Sequence, residues 1–149
     1  MIISGTALIS LWAWFLVSPK TYSGTETITL SGVAYNPQTR WGNLRPDNFK
    51  GSDVDHDLRN IAKLTDTIRT YSSGKFFDQL PTLAQQNKLD IIAAAWVGVN
   101  PAHDNAELSS LLSLSRKHSN IKALIIGNEV LLRKDITLAH LQRYLAEAN

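Results

Sequence analysis

A carboxylate, Glu129, stands directly after the apolar run Leu124-Ile125-Ile126-Gly127 and Asn128. Cleaving a glycosidic bond takes a pair of carboxyl groups flanking it, one of which protonates the leaving oxygen. Apolar walls at a strand end favour the protonated form of such an acid, which suits it to that role. The alternative is a solvated loop residue, or a partner of Arg133. Other polar and aromatic residues also fall at predicted strand ends: Tyr35 and Asn36, then Arg69 and Tyr71, then Trp96, then Asn128 itself. Aromatic faces and hydrogen-bonding tips spread over several strand ends are what a sugar site requires. For Tyr35, Tyr71 and Trp96 the competing explanation is core packing, where aromatics are common.

Other chemistries find little purchase. The chain has no cysteine, which removes thiolate catalysis, disulfides and cysteine-ligated metals. His56, His103, His118 and His140 show no metal-ligand spacing and read as surface or capping residues. Ser72-Ser73-Gly74 reads as a turn rather than a nucleophile elbow. The turn after the first strand, Ala34-Tyr35-Asn36-Pro37-Gln38, lacks the glycines that cradle a dinucleotide phosphate. Arg40 and Trp41, in a long loop, are further candidates for touching a substrate or for pinning the loop. No metal, nucleotide or other cofactor is implied.

The elements that must position these groups alternate in kind. Strands are predicted over 28–35, 67–71, 90–97 and 121–127. Helices are predicted from a capping box at Ser52 and Asp55, with Val54, Leu58 and Ile61 at helical spacing. A second helix starts near Asp78, with Leu80, Leu83 and Ala84 on one side and Pro81 in the first turn, where a missing N–H costs little. A third runs from about Asn105 to His118, with Leu108, Leu111, Leu112 and Ser115 facing inward and a basic end that complements the helix dipole. A fourth begins at Thr137 as N-cap, carrying Leu138, Leu141, Tyr144 and Leu145. Four βα repeats predict an α/β fold with a parallel sheet, either open and doubly wound or closed into an eight-fold barrel. In a barrel the working groups sit at the C-terminal ends of the strands, where the polar and aromatic residues fall here.

Composition bounds the rest. At 149 residues there is room for one domain, and a hydrophobic fraction of 44% with 19% charged residues is that of a folded chain. A net charge of +2, with basic residues scattered, argues against nucleic acid. Residues 1–19 carry no charged side chain, and Ile2 to Val17 is dominated by Ile, Leu, Trp, Phe and Ala. That is close to the ~17-residue minimum for a spanning helix, so a membrane anchor or uncleaved signal segment is expected there. Residues 20–27 read as a linker and 28–149 as the folded unit. Such an anchor places the protein at the cell membrane or in the periplasmic, extracytoplasmic space.

The run Ile126-Gly127-Asn128-Glu129 at the end of a fourth strand resembles the acid/base signature of glycoside hydrolase family 17. Gly32-Val33-Ala34-Tyr35 resembles that family's first-strand motif, and Ile68-Arg69-Thr70-Tyr71 its second-strand Arg-x-Tyr motif. Gly127-Asn128-Glu129-Val130-Leu131-Leu132-Arg133 is especially similar to the bacterial branch, which includes membrane-anchored β-glucosyltransferases. The resemblance runs from about Ile28 to Asn149. It implies the first four βα units of a (β/α)8 TIM-type barrel and a retaining hydrolase or transglycosylase acting on β-1,3-glucan. By resemblance Glu129 is the general acid/base and Asn128 bonds the sugar 2-hydroxyl. Tyr35, Arg69 and Tyr71 line the cleft, Arg69 helps keep the nucleophile ionised, and Trp96 is a stacking platform.

The resemblance also implies a nucleophilic glutamate ending a seventh strand, within roughly 5–5.5 Å of the acid/base in a retaining enzyme. Glu147 falls near the end of a helix and cannot take that place. The expectation is therefore a fragment that is inactive by itself. The rival expectation is a non-catalytic half-barrel that binds β-linked glucan oligosaccharide or polysaccharide, or serves as an assembly subunit. Open sheet edges would favour self-association.

Overall fold

The computed structural model describes residues 13, 14, 16, 30–36 and 51–148. Four parallel strands form one sheet in the order β1-β2-β3-β4: β1 at Val33–Ala34, β2 at Thr67–Arg69, β3 at Asp90–Ala95 and β4 at Ile121–Ile126. Helices α1 (Gly51–Ile61), α2 (Leu80–Gln86), α3 (Pro101–Lys117) and α4 (Leu138–Glu147) alternate with them. The strand order never reverses, so these strands offer no topological switch point of the kind that binds nucleotides in doubly wound sheets. The expected run of four βα units is present.

Register follows the apolar pattern. Val33 pairs with Ile68, Ile68 with Ile91, and Ile91 with Ile121. A register irregularity between Ile91 and Ile92 shifts the later β3–β4 pairs, so that Ala95 meets Ile126. β3 is covered on both sides, and its small residues Ala93, Ala94 and Ala95 are all buried. β4 differs: Lys122 and Ala123 are exposed and Leu124 to Ile126 only half-buried, because β4 pairs with β3 alone among the described strands.

The helices pack their predicted stripes inward, with corrections at their ends. Val54 and Leu58 of α1 are buried, but no capping box forms at Ser52 and Asp55. The helix is already running at Gly51, and the Asp55 carboxylate accepts from Asn87 at 2.9 Å and pairs with Arg59 at 2.9 Å. The Asn87 hydrogen bond, with the Arg59 charge beside it, holds the Asp55 carboxyl below its ordinary pKa against a smaller opposing effect of desolvation. α2 is preceded by a 3-10 turn at Lys75–Asp78 and starts only at Leu80, with Leu80, Pro81 and Ala84 buried.

α3 begins four residues earlier than predicted. Asn100 caps it by accepting from the backbone of Ala102 at 3.1 Å and His103 at 3.3 Å, and Pro101 fills the first position, where it loses no helical hydrogen bond. Leu108, Leu111 and Leu114 are buried on it, with Leu112 and Ser115 only half-buried. Thr137 caps α4 as predicted, accepting from His140 at 3.2 Å. Among the described residues no helix is long and apolar enough to cross a membrane. The expected anchor and linker lie almost wholly outside the described residues, as do Arg40 and Trp41; Ala13, Trp14 and Leu16 are helical and exposed.

Candidate active site

The strand exits converge on one cleft of about 480 Å³, walled by Asn36, Tyr71, Ser72, Phe77, Trp96, His103 and Asn128. These residues follow β1, β2, β3 and β4, so the cleft sits at the C-terminal ends of all four strands. Tyr71, Trp96 and Asn128, three of the candidate site residues, thus share one cleft. Trp96 is 40% exposed and so is not a core side chain. Tyr35 lies in the core instead, 6% exposed, with its hydroxyl donating to Asp57 of α1 at 3.4 Å. Its chain neighbour Asn36 takes the place on the cleft wall.

Arg69 binds the wall from behind. Its Nη2 donates to Oδ1 of Asn128 at 3.1 Å, and its guanidinium carbon lies 4.8 Å from the centroid of the Tyr71 ring. A guanidinium only donates, so this contact fixes the Asn128 amide with its oxygen toward Arg69. Among the described residues the two amide N–H donors of Asn128 meet no acceptor. Arg69 Nε is buried and has no hydrogen-bond partner among the described residues.

Glu129 follows on a sharp turn. Gly127 has φ of +80°, and a Cβ there would stand 2.9 Å from Val130 Cγ1, so only glycine fits. Glu129 itself has φ of +56°, an uncommon conformation for a residue with a Cβ. The turn is pinned on both sides. Gly127 N–H donates to the Ala95 carbonyl at 3.0 Å, Val130 is 4% exposed, and Arg133 N–H donates to the Glu129 carbonyl at 2.9 Å. Glu129 is exposed, in contrast to the apolar surroundings expected of it, and it is not on the cleft wall; its neighbour Asn128 is. Arg133 does not take up Glu129: its side chain pairs with Asp135 at 2.7 Å, donates to the Asn128 carbonyl and lies over Trp96.

A second carboxylate, absent from the sequence reading, holds the cleft together. Glu107 of α3 is 5% exposed and accepts from Ser72 Oγ at 2.7 Å, the Ser73 N–H at 2.9 Å and the Trp96 N–H at 2.9 Å. Ser73 Oγ also donates to the Glu107 carbonyl at 2.6 Å. Gly74 allows this approach, because a Cβ there would lie 2.7 Å from Glu107 Oε1. One turn earlier Asp104, 1% exposed, accepts from the Gly98 N–H at 2.9 Å and from the Tyr144 hydroxyl at 3.4 Å. Both acids share a face with Leu108 and Leu111, a spacing visible in the sequence once the helix start is known. His103, predicted as surface or capping, is exposed and lines the cleft because the capped start of α3 brings it there.

A solved structure shares the fold. An active-site mutant of Rhizomucor miehei beta-1,3-glucanosyltransferase in complex with laminaritriose superposes with a TM-score of 0.63 at 22% identity, over 83% of this chain. The chain spans 45% of the length of that protein. No curated protein matches the sequence. The BtgE/BtgC glycoside hydrolase domain matches residues 32–149, most of the chain, and the chain belongs to that glycoside hydrolase family.

Proposed function

We propose that this chain is the acid/base-bearing half of a (β/α)8 barrel of the family 17 type, in a retaining enzyme on β-1,3-glucan. The observation that carries the proposal is the Asn128-Glu129 turn at the exit of β4, with Asn128 held by Arg69 beside a cleft walled by Tyr71 and Trp96. The laminaritriose bound to the structural neighbour supports a β-1,3-glucan oligosaccharide as the ligand. Its 45% coverage supports four further βα units in the complete enzyme.

In this reading Glu129 protonates the glycosidic oxygen as the bond to the anomeric carbon breaks. A nucleophilic carboxylate from the second half forms the covalent glycosyl-enzyme, and Glu129 then takes the proton from the incoming hydroxyl. Water gives hydrolysis, and a second sugar gives transglycosylation. Asn128 donates to the sugar 2-hydroxyl, and Arg69, whose Nε has no partner among the described residues, favours the ionised nucleophile. Further units would cover the Glu129 side chain and the half-buried face of β4, which in the isolated chain invites self-association. The apolar segment 1–19 leans the enzyme toward glucan synthesis or remodelling at the cell envelope.

The test is Glu129→Gln in the complete enzyme, assayed on laminari-oligosaccharides with product analysis. Turnover is expected to fall about 10²–10⁴-fold with thermal stability kept. A variant as active as wild type would sink the assignment. Products larger than the substrate at high acceptor concentration would mark a transglycosylase, and their absence a hydrolase.

A further inference from the structure

Arg133 is committed on every side. Nε and Nη2 both meet Oδ2 of Asp135 at 2.7 Å, Nη1 donates to the main-chain carbonyl of Asn128, and the guanidinium carbon lies 4.9 Å from the centroid of Trp96. Its own N–H closes the turn on the Glu129 carbonyl at 2.9 Å. Asp135 is fixed in turn, its N–H donating to the Val130 carbonyl at 3.0 Å. The side chains of Arg133 and Asp135 are only 31% and 22% exposed. One guanidinium thus bridges the exit of β3, where Trp96 stands, to the exit of β4, where Glu129 stands in left-handed backbone.

We propose that Arg133 is the positioning residue of the site: it locks the sugar platform and the acid/base turn into one rigid unit. The inference rests on the reading of Glu129 as acid/base and adds a residue to it. The planar fork is what the role requires. Its edge serves Asp135 and the Asn128 carbonyl while its face lies on the indole, and a lysine cannot do both. Covering one face of Trp96 also leaves the opposite face to meet a sugar ring. Because Glu129 is exposed and conformationally costly, this external brace supplies the order that packing elsewhere gives.

The experiment compares Arg133→Met and Arg133→Lys with wild type in the complete enzyme on laminari-oligosaccharides, each protein checked for its melting temperature. Both variants are expected to lose about ten- to a hundredfold in kcat, the scale of a misplaced catalytic group, with KM within about threefold. Trp96→Phe combined with Arg133→Met should lose less than the product of the two single losses, since the residues act through one contact. A folded Arg133→Met with wild-type kcat overturns the proposal and leaves Glu129 untouched, as does full activity in Arg133→Lys. A loss of rate that only tracks the unfolded fraction overturns it also. A wild-type enzyme inert on β-1,3-glucan overturns the functional reading and this inference with it.

Discussion

The two glutamates nearest the cleft live in opposite surroundings. Glu107 is 5% exposed, and its side chain satisfies donors from the β2 loop and the end of β3. Glu129 is exposed, on a backbone turned to positive φ, and among the described residues it is held through its main chain and its neighbours. A buried carboxylate whose lone pairs are filled can orient other groups but has none left for a substrate. An exposed one on a braced turn is available for proton transfer. Burial and hydrogen bonding, more than residue type, separate the clamp from the candidate acid/base.

Removing the clamp is expected to have the largest effect on stability. Glu107→Ala leaves the Ser73 and Trp96 N–H groups without their acceptor, at a cost of about 2–5 kcal/mol. Glu107→Gln should cost less, because its amide oxygen can still accept both N–H bonds while its NH₂ meets the Ser72 hydroxyl. Denaturant unfolding of the two variants checks the order. Equal losses, or none in Glu107→Ala, would mean that Glu107 is a passenger and the contrast is false.

At Glu129 the same measurement should move the other way. Glycine tolerates φ of +56° without the Cβ clash, so Glu129→Gly is expected to raise stability by about 1 kcal/mol while removing the proposed acid/base. Gain of stability with loss of turnover is the mark of strain kept for function. A variant no more stable than wild type would show that the turn carries no such cost, and Glu129 would be ordinary loop.

The contrast also shows what was legible beforehand. Trp96, Asn128 and Glu129 stand out because each closely follows an apolar run, and strand exits form the site in such folds, whereas Arg69 and Tyr71 stand out through the resemblance of Ile68-Arg69-Thr70-Tyr71 to a second-strand motif. The βα order was readable from alternating apolar periods. Glu107 and Asp104 were not. Hydrophobic spacing along α3 picks out its leucines, and an acid between them reads as part of a solvated face until its donors from distant loops are known. The apolar spacing places the start of α3 near Asn105, though Asn100-Pro101 makes a sound helix start. Tyr35 could not be told from a cleft residue because β1 breaks off after Ala34 and the next residue, Asn36, faces the cleft instead. The loop carrying Arg40 and Trp41 falls outside the described residues.

The smallest expected effect tests how far the pinned region extends. Asp104 carries the clamp from the exit of β3 to α4, where its partner is the Tyr144 hydroxyl. Burial, and then the Asp104 charge, push the Tyr144 phenol above its ordinary pKa of 10.0. The folded state therefore holds that proton more tightly than the unfolded chain does. The resulting stability is complete below about pH 10 and is lost as pH rises from there toward the folded value. Tyr144→Phe has no such proton to lose. Any advantage of wild type over Tyr144→Phe in melting temperature should hold from pH 7 to 9 and shrink between pH 10 and 11. The 3.4 Å hydrogen bond is long, so the advantage itself should be small. A difference that stays constant across that range would detach α4 from the clamp and confine the rigid region to α3 and the exits of β2 and β3.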